Sequence, residues 1–254
     1  MMKYLGIEPK KLKIGVFDFT CCEGCELQLA NKEETLAEFL KAIEIVNFRE
    51  VSSIRGDDYD IALIEGAISR SDEFTRLMEI RKKAKILVAY GSCACFGGVN
   101  MLKNEFDIDE ANREVYGSAH RETLPVRAVK DVVHVDMEIP GCPVNKDEIE
   151  RIIQHLIWDI PFQFPSYPVC FECKQRFTVC AFEKGELCLG PITMGGCSAP
   201  CPAGGLGCWG CRGPAADPNY KEFFSIAKER GFDDRIVEER LNFYGGFKGV
   251  SHES

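Results

Sequence analysis

Apolar runs separated by charged, periodic stretches fill the first 160 positions of the chain. Residues 12–19 (LKIGVFDF), 43–51 (IEIVNFREV), 60–68 (DIALIEGAI), 84–91 (AKILVAYG) and 131–141 (DVVHVDMEIPG) are short, β-branched or aromatic runs, and each reads as a strand. Between them the spacing becomes helical. In 26–43, Leu29, Leu36, Leu40 and Ile43 share one face, and the charged stretch from Ser71 to Lys83 reads as a second helix. Asn145 followed by Glu148 resembles a capped helix start, and Ile149, Ile152, Ile153, Leu156 and Ile157 then form an apolar face. The mixed polar region 92–130 reads as a long excursion with one or two short helices.

Nearly continuous apolar strands alternating with helices imply a parallel sheet covered on both faces. The expected fold class is α/β, with a flavodoxin-like doubly wound parallel sheet over residues 1–160. The character changes at 161–170, PFQFPSYPVC. From Cys170 to Cys211 the chain is rich in Cys, Gly and Pro and has few periodic apolar positions, so 161–215 is expected to be a small irregular module organised by inorganic centres. The tail, 216–254, reads as two helices at about 218–230 and 234–243.

Charge and composition narrow the function. The formal net charge of -9 argues against a nucleic-acid partner, which would need clustered cations. The run Arg81–Lys82–Lys83 is short and reads as a solvated helix end. No segment approaches the ~20 apolar residues of a membrane span. The N-terminal stretch MMKYLGIEPKKLKIGVF has no apolar signal core, twin-arginine pair or small-residue cleavage site, which points to the cytosol. Fourteen cysteines in that compartment are not expected to form disulfides and read instead as metal or iron–sulfur ligands.

Where the thiols fall is informative. In FTCCEGCELQ (19–28), Cys21 and Cys22 are adjacent, and neighbouring side chains leave the backbone in different directions. Cys22 and Cys25 follow the first strand, Cys93 in AYGSCACFGG follows the strand at 84–91, and Cys142 in IPGCP follows the last one. Ligands of open parallel sheets bind outside the carboxyl ends of the strands. Three segments thus deliver thiols to one sheet edge, and four thiolates there would hold one [4Fe–4S] cluster. Gly24, Gly91, Gly97, Gly98 and Gly141 suit a backbone that turns sharply beside it. Buried structural cysteines are the alternative, and they do not account for thiols gathered at strand ends beside glycines. Further on, Cys170, Cys173, Cys180 and Cys188 have the spacing C-x2-C-x6-C-x7-C, and Cys197, Cys201, Cys208 and Cys211 have C-x3-C-x6-C-x2-C. Spacing leaves structural zinc and iron–sulfur open for both, and ferredoxin-type clusters also exchange a ligand between quartets.

Taken together, these motifs resemble the small subunit of [NiFe] hydrogenases. CEGC (22–25), GSCACFGG (91–98) and IPGCP (139–143) are similar to that family's three proximal-cluster segments. YPVCFEC, GELCLGPITMGGC, APCP and GCWGCRGP are similar to its two-cluster C-terminal module, and the likeness runs in order over roughly residues 12 to 215. Within the family the chain is most similar to the cytosolic enzymes, of the sulfhydrogenase delta-subunit type. The resemblance implies a proximal cluster on Cys22, Cys25, Cys93 and Cys142, a medial one on Cys197, Cys201, Cys208 and Cys211, and a distal one on Cys170, Cys173, Cys180 and Cys188. Many periplasmic relatives have His where Cys170 stands and a Pro near Cys201 that leaves a three-iron medial cluster. Cysteine at both places implies three [4Fe–4S] clusters, and all-sulfur ligation implies low potentials.

The C-x-G-C pattern selects Cys22 with Cys25. Cys21 and Cys95 then fall outside it, as buried thiols or as contacts to the proximal cluster. The implied function is electron transfer in the reaction H2 ⇌ 2 H+ + 2 e−. Electrons would pass between the Ni–Fe centre of a large subunit and a flavin/NAD(P)-binding or ferredoxin-linked iron–sulfur subunit, and no catalytic residue is expected in this chain. The alternatives are the equivalent subunit of an electron-bifurcating hydrogenase using NAD(H) and ferredoxin, and a zinc-stabilised scaffold. Glu65, at the same sheet edge, reads as an interface carboxylate, a member of a proton route, or a solvated or capping carboxylate. His134 reads as a core histidine, and His120, His155 and His252 show no ligand spacing. No G-x-G-x-x-G follows a strand, and AGGLG (203–207) reads as a loop that wraps a cluster.

Overall fold

Five parallel strands occupy the centre of the computed structural model, which describes residues 11–31, 41–119 and 121–252. They are β1 (Leu12–Asp18), β2 (Ile43–Asn47), β3 (Ile61–Glu65), β4 (Ile86–Tyr90) and β5 (Met137–Ile139), in the spatial order β2-β1-β3-β4-β5. This is the expected flavodoxin-like doubly wound order, with its switch point between β1 and β3. All five residues of β3 are buried, which is why its sequence is apolar without alternation. Successive residues face opposite layers. Phe17, Ile64 and Leu87 pack with Leu77 on one side, and Val16, Leu63 and Val88 pack with Ile149 and Ile152 on the other.

The helices covering the sheet are α1 (Gly24–Ala30), α2 (Ser71–Lys83), α3 (Ser92–Phe96) and, after α4 (Ile108–Tyr116), which packs on the 3-10 segment before it, α5 (Lys146–Ile157). The side-chain oxygen of Asn145 accepts from the backbone N–H of Asp147 (2.9 Å) and of Glu148 (3.0 Å), so the expected cap starts α5. Ile149, Ile152 and Ile153 on its apolar face are buried. Of the helix expected over 26–43, α1 and the helical residues 41–42 are described, while Leu36 and Leu40 lie outside the described residues, as does His120.

Two expectations change. The run 131–141 contributes only three residues of strand. Before it, the carboxylate of Asp136 accepts from the N–H of Leu87 (2.7 Å), taking the donor that a longer strand would have needed. His134 therefore stands outside the sheet, with its side chain 80% exposed and 3.4 Å from Asp136, and is not a core histidine. The 92–130 excursion holds more helix than expected, with α3, a 3-10 segment at Gly98–Glu105, and α4 in succession.

Beyond the sheet lie α6 (Val169–Gln175), a 3-10 turn (Ala181–Lys184) and the single turn α7 (Pro200–Ala203), followed by α8 (Tyr220–Glu229) and α9 (Asp234–Asn242). The cysteine-rich stretch does have a side-chain core. Val169, Phe182, Leu189 and Ile192 pack with Phe223, Phe224, Val237, Leu241 and Phe247, which come from the tail. Among the described residues, no helix is long and apolar enough to cross a membrane.

Candidate metal centres

The register pairs Asp18 with Glu65 and Tyr90 with Ile139, so β1, β3, β4 and β5 end at one edge. The chain leaving β1 passes Cys21 and Cys22 and enters α1, with Cys25 in its first turn. The chain leaving β4 turns at Gly91 (φ 88°) into α3, which carries Cys93. The N–H of Ser92 donates to the carbonyl of Gly141 (2.8 Å), holding the Cys93 segment against the Cys142 segment. A Cβ on Gly91 would lie 2.6 Å from the Cys25 sulfur, and one on Gly98 would lie 2.6 Å from the Cys93 sulfur. Backbone approaches these thiols where no side chain fits.

The electrostatics agree with this grouping. Burial pushes the Cys93 thiol up to about 12, and the charges of Cys142 and Cys22 act in the same sense. Burial also raises Cys25, helped by Glu65, Cys142 and Cys93, and raises Cys142, helped by Cys22. Thiols that oppose one another's ionisation become thiolates together only beside positive charge, which bound iron would supply. The donor set and the side-chain-free cradle thus fit a cluster.

Glu65 is a helix cap. Its carboxylate, 2% exposed, accepts from the N–H of Cys25 (3.0 Å) and of Glu26 (2.7 Å) at the start of α1. Burial raises it while those two amides pull it down. Cys95 is on the buried face of α3, its Sγ 3.5 Å from the carbonyl of Ala89, and is a core thiol. Burial raises Cys21, with the charges of Glu65 and then Cys93 adding to the effect. Tyr244, after α9, lies beside Cys142, and burial raises its hydroxyl. No sequence motif marked it.

The two later quartets also gather. Burial pushes Cys170 up to about 12, followed by the charges of Cys188, Cys173 and Cys180. A Cβ on Gly190 would touch both the Cys188 and Cys170 sulfurs, at 3.3 and 3.4 Å. Burial pushes Cys211 up to about 12, with Cys197, Cys142 and Cys201 adding to it. Cys208 is raised by burial, with Cys188 and Cys211 acting in the same sense. Among the described residues, no three His, Cys, Asp or Glu side chains converge as they would on a single metal ion.

Contacts also run between quartets. The N–H of Cys208 donates to the Cys188 sulfur (3.1 Å), and the N–H of Leu189 donates back to the Cys208 carbonyl (2.9 Å). On the other side, the Ser92 hydroxyl donates to the Cys211 carbonyl (2.5 Å), and the Cys142 amide faces the Cys211 sulfur and lowers its pKa. The 197–211 loops therefore touch both other quartets.

The chain is similar to known proteins in sequence and in fold. The family described as NADH ubiquinone oxidoreductase, 20 Kd subunit, matches residues 22–156, from the first quartet cysteine to the end of α5. Sulfhydrogenase 2 subunit delta of Pyrococcus furiosus is 37% identical over 237 residues, covering 91% of this chain and 99% of its own. A subunit of the F420-non-reducing hydrogenase of Methanothermobacter marburgensis is 29% identical over 281 residues, covering 92% of this chain and 91% of its own. The solved structure of H2-activated [NiFeSe]-hydrogenase from Dm. baculatum has the same fold, with a TM-score of 0.59 at 17% identity over 94% of this chain and 100% of that one. The chain thus belongs to the NADH ubiquinone oxidoreductase 20 Kd subunit family and, within it, to the small subunits of hydrogenases.

Proposed function

We propose that this small subunit works in the cytoplasm, holds three [4Fe–4S] clusters, and relays electrons between the Ni–Fe centre of a large subunit and a flavin/NAD(P)-binding or ferredoxin-linked iron–sulfur subunit. Cys22, Cys25, Cys93 and Cys142 would hold the proximal cluster. Cys197, Cys201, Cys208 and Cys211 would hold the medial one, and Cys170, Cys173, Cys180 and Cys188 the distal one. When bound, such clusters supply one-electron redox chemistry at potentials set by burial and by hydrogen bonds to sulfur. The chain's own part is to hold, space and shield them.

The observation that carries this reading is the contact pattern between quartets. The 197–211 loops meet Ser92 and Cys142 on one side and Cys188 on the other, which supports a three-station line with that quartet in the middle. Exposure supports the direction. Cys22 and Cys142 are exposed at the sheet edge, suited to a covering large subunit, and Cys180 is exposed at the far end, suited to an acceptor.

Metal analysis and one variant of the assembled complex test it. The complex should carry about twelve irons and matching acid-labile sulfide on this chain, not zinc. In Cys173→Ser, isotope exchange between H2 and water should persist, and H2 should still reduce the proximal and medial centres while the external acceptor receives nothing. If both centres stay oxidised while exchange continues, the order is wrong.

A further inference from the structure

Several side-chain bonds tie the sheet to the 197–211 loops, and a buried cation sits among them. Arg212 is 1% exposed and is the largest fully buried side chain among the described residues. Its Nε donates to the carbonyl of Gly195 (2.8 Å), and its Nη1 donates to the carbonyl of Pro140 (2.8 Å) and to Glu148 Oε2 (2.7 Å). Its Nη2 donates to Glu148 Oε1 (2.9 Å). Glu148, itself fully buried, lies in the first turn of α5, whose cap Asn145 also donates to the carbonyl of Cys197 (3.3 Å).

The positions of these anchors matter. Pro140 stands two residues before Cys142, Gly195 two before Cys197, and Arg212 directly after Cys211. One guanidinium therefore holds a loop of the proximal quartet and both ends of the medial quartet's sequence. Only arginine offers a planar fork that can meet a carboxylate with two parallel bonds and still reach carbonyls on two sides. The fit is tight. A Cβ on Gly196 would lie 2.5 Å from Glu148 Oε1 and 2.6 Å from Arg212 Nη2. A fully buried ion pair is a poor source of stability compared with apolar packing of the same volume, so its use here calls for a geometric reason.

We infer that Arg212, seated on Glu148, is a positioning residue that sets the separation and orientation of the proximal and medial thiol quartets, and through them the rate of the first electron step along this chain. The inference rests on the three-cluster reading. Tunnelling between two centres falls steeply with the gap between them, so a clamp at this junction governs the step more directly than one elsewhere in the fold.

The test uses the intact complex with Arg212→Lys, the double variant Arg212→Met/Glu148→Met, and Glu148→Gln. The readouts are iron content, the magnetic interaction between the reduced proximal and medial centres, and acceptor reduction set against H2–water isotope exchange. In Arg212→Lys and in the double variant, isotope exchange and iron content should hold and the magnetic interaction should weaken. Acceptor reduction should fall on the order of 10–100-fold, as for other groups that orient metal ligands. Glu148→Gln keeps the volume and one acceptor, and should shift the interaction in the same sense by less. Wild-type interaction and transfer in the first two variants would overturn the inference. So would loss of iron in them combined with an unchanged interaction in Glu148→Gln, since the pair would then serve folding only. Failure of the three-cluster reading would appear separately, as too little iron in the unsubstituted complex.

Discussion

The two halves of the chain solve the same problem in different ways. In the sheet half, the core and the thiol edge are largely separate. β3 and β4 are buried by their own aliphatic side chains, while Cys22, Cys93 and Cys142 sit on the segments beyond the strand ends, and only Cys25 of that quartet is buried. In the module half, quartet thiols belong to the core. Cys188 and Cys208, 7% and 6% exposed, pack among Leu189, Phe182 and Phe224. A parallel sheet can form first and then present ligands at its carboxyl edge. On the three-cluster reading, the module would fold around what its thiols bind.

Removing the metal should separate the halves most clearly. After iron is stripped from the complex, amides of β1, β3 and β4 should keep their protection from hydrogen exchange, while those between Val169 and Ala215 should lose it. Equal loss in both halves would mean that the sheet also depends on its cluster. The module's dependence is not total, because the tail lends it side chains. Phe224→Ala, which deletes a ring only 6% exposed, should cost about 3–5 kcal/mol in denaturant titrations that follow loss of iron–sulfur absorbance. A cost below about 1 kcal/mol would show that the tail merely covers the module.

This contrast also explains what could be read in advance. The strands were legible because burial on both faces writes an uninterrupted apolar run, and the thiols at their ends were legible because topology brings strand ends together. β5 was over-extended because the apolar alternation of 131–136 gives no sign that Asp136 takes the N–H of Leu87. The shared core of module and tail was not legible, since Val169 and Phe224 lie far apart in sequence and an apolar helix face does not name the segment it packs against. Arg212 stands inside the GCWGCRGP motif, yet its role depends on Glu148, 64 positions away, and spacing carries no trace of that pairing. Glu65 lies at the expected edge, where its bonds to the Cys25 and Glu26 amides bear out the capping reading and its burial rules out the solvated one.

A finer test concerns the two cysteines outside the quartets. Cys95→Ser puts a hydroxyl in an apolar core and should cost about 1–3 kcal/mol, towards the lower end because the Ala89 carbonyl can accept from it. The iron content should not change. Cys21→Ser should likewise leave iron intact, even though the Cys93 charge acts on its thiol. Loss of one cluster's iron in either variant would redraw the proximal quartet and blur the division between edge thiols and core thiols.

The smallest effect should come from Phe177, in the loop between Cys173 and Cys180. Glycine holds the positive-φ turns at Gly91 and Gly97, while Glu23 beside Cys22 (φ 61°) and Phe177 in the distal loop (φ 53°) hold theirs without it. Its ring is 96% exposed, so within this chain it contributes almost no burial to offset the conformation. A non-glycine residue in the left-handed region costs about 1–2 kcal/mol, and glycine returns part of that through the larger freedom of its unfolded chain. Phe177→Gly should therefore stabilise the isolated fold by about 0.5–1 kcal/mol, read as a small rise in the denaturant midpoint at unchanged iron content. If the same change instead weakens the assembled complex, the ring is buried there against another subunit. The strain at the distal loop would then serve that contact, giving the module half an outward-facing role to match the one proposed for the thiol edge of the sheet.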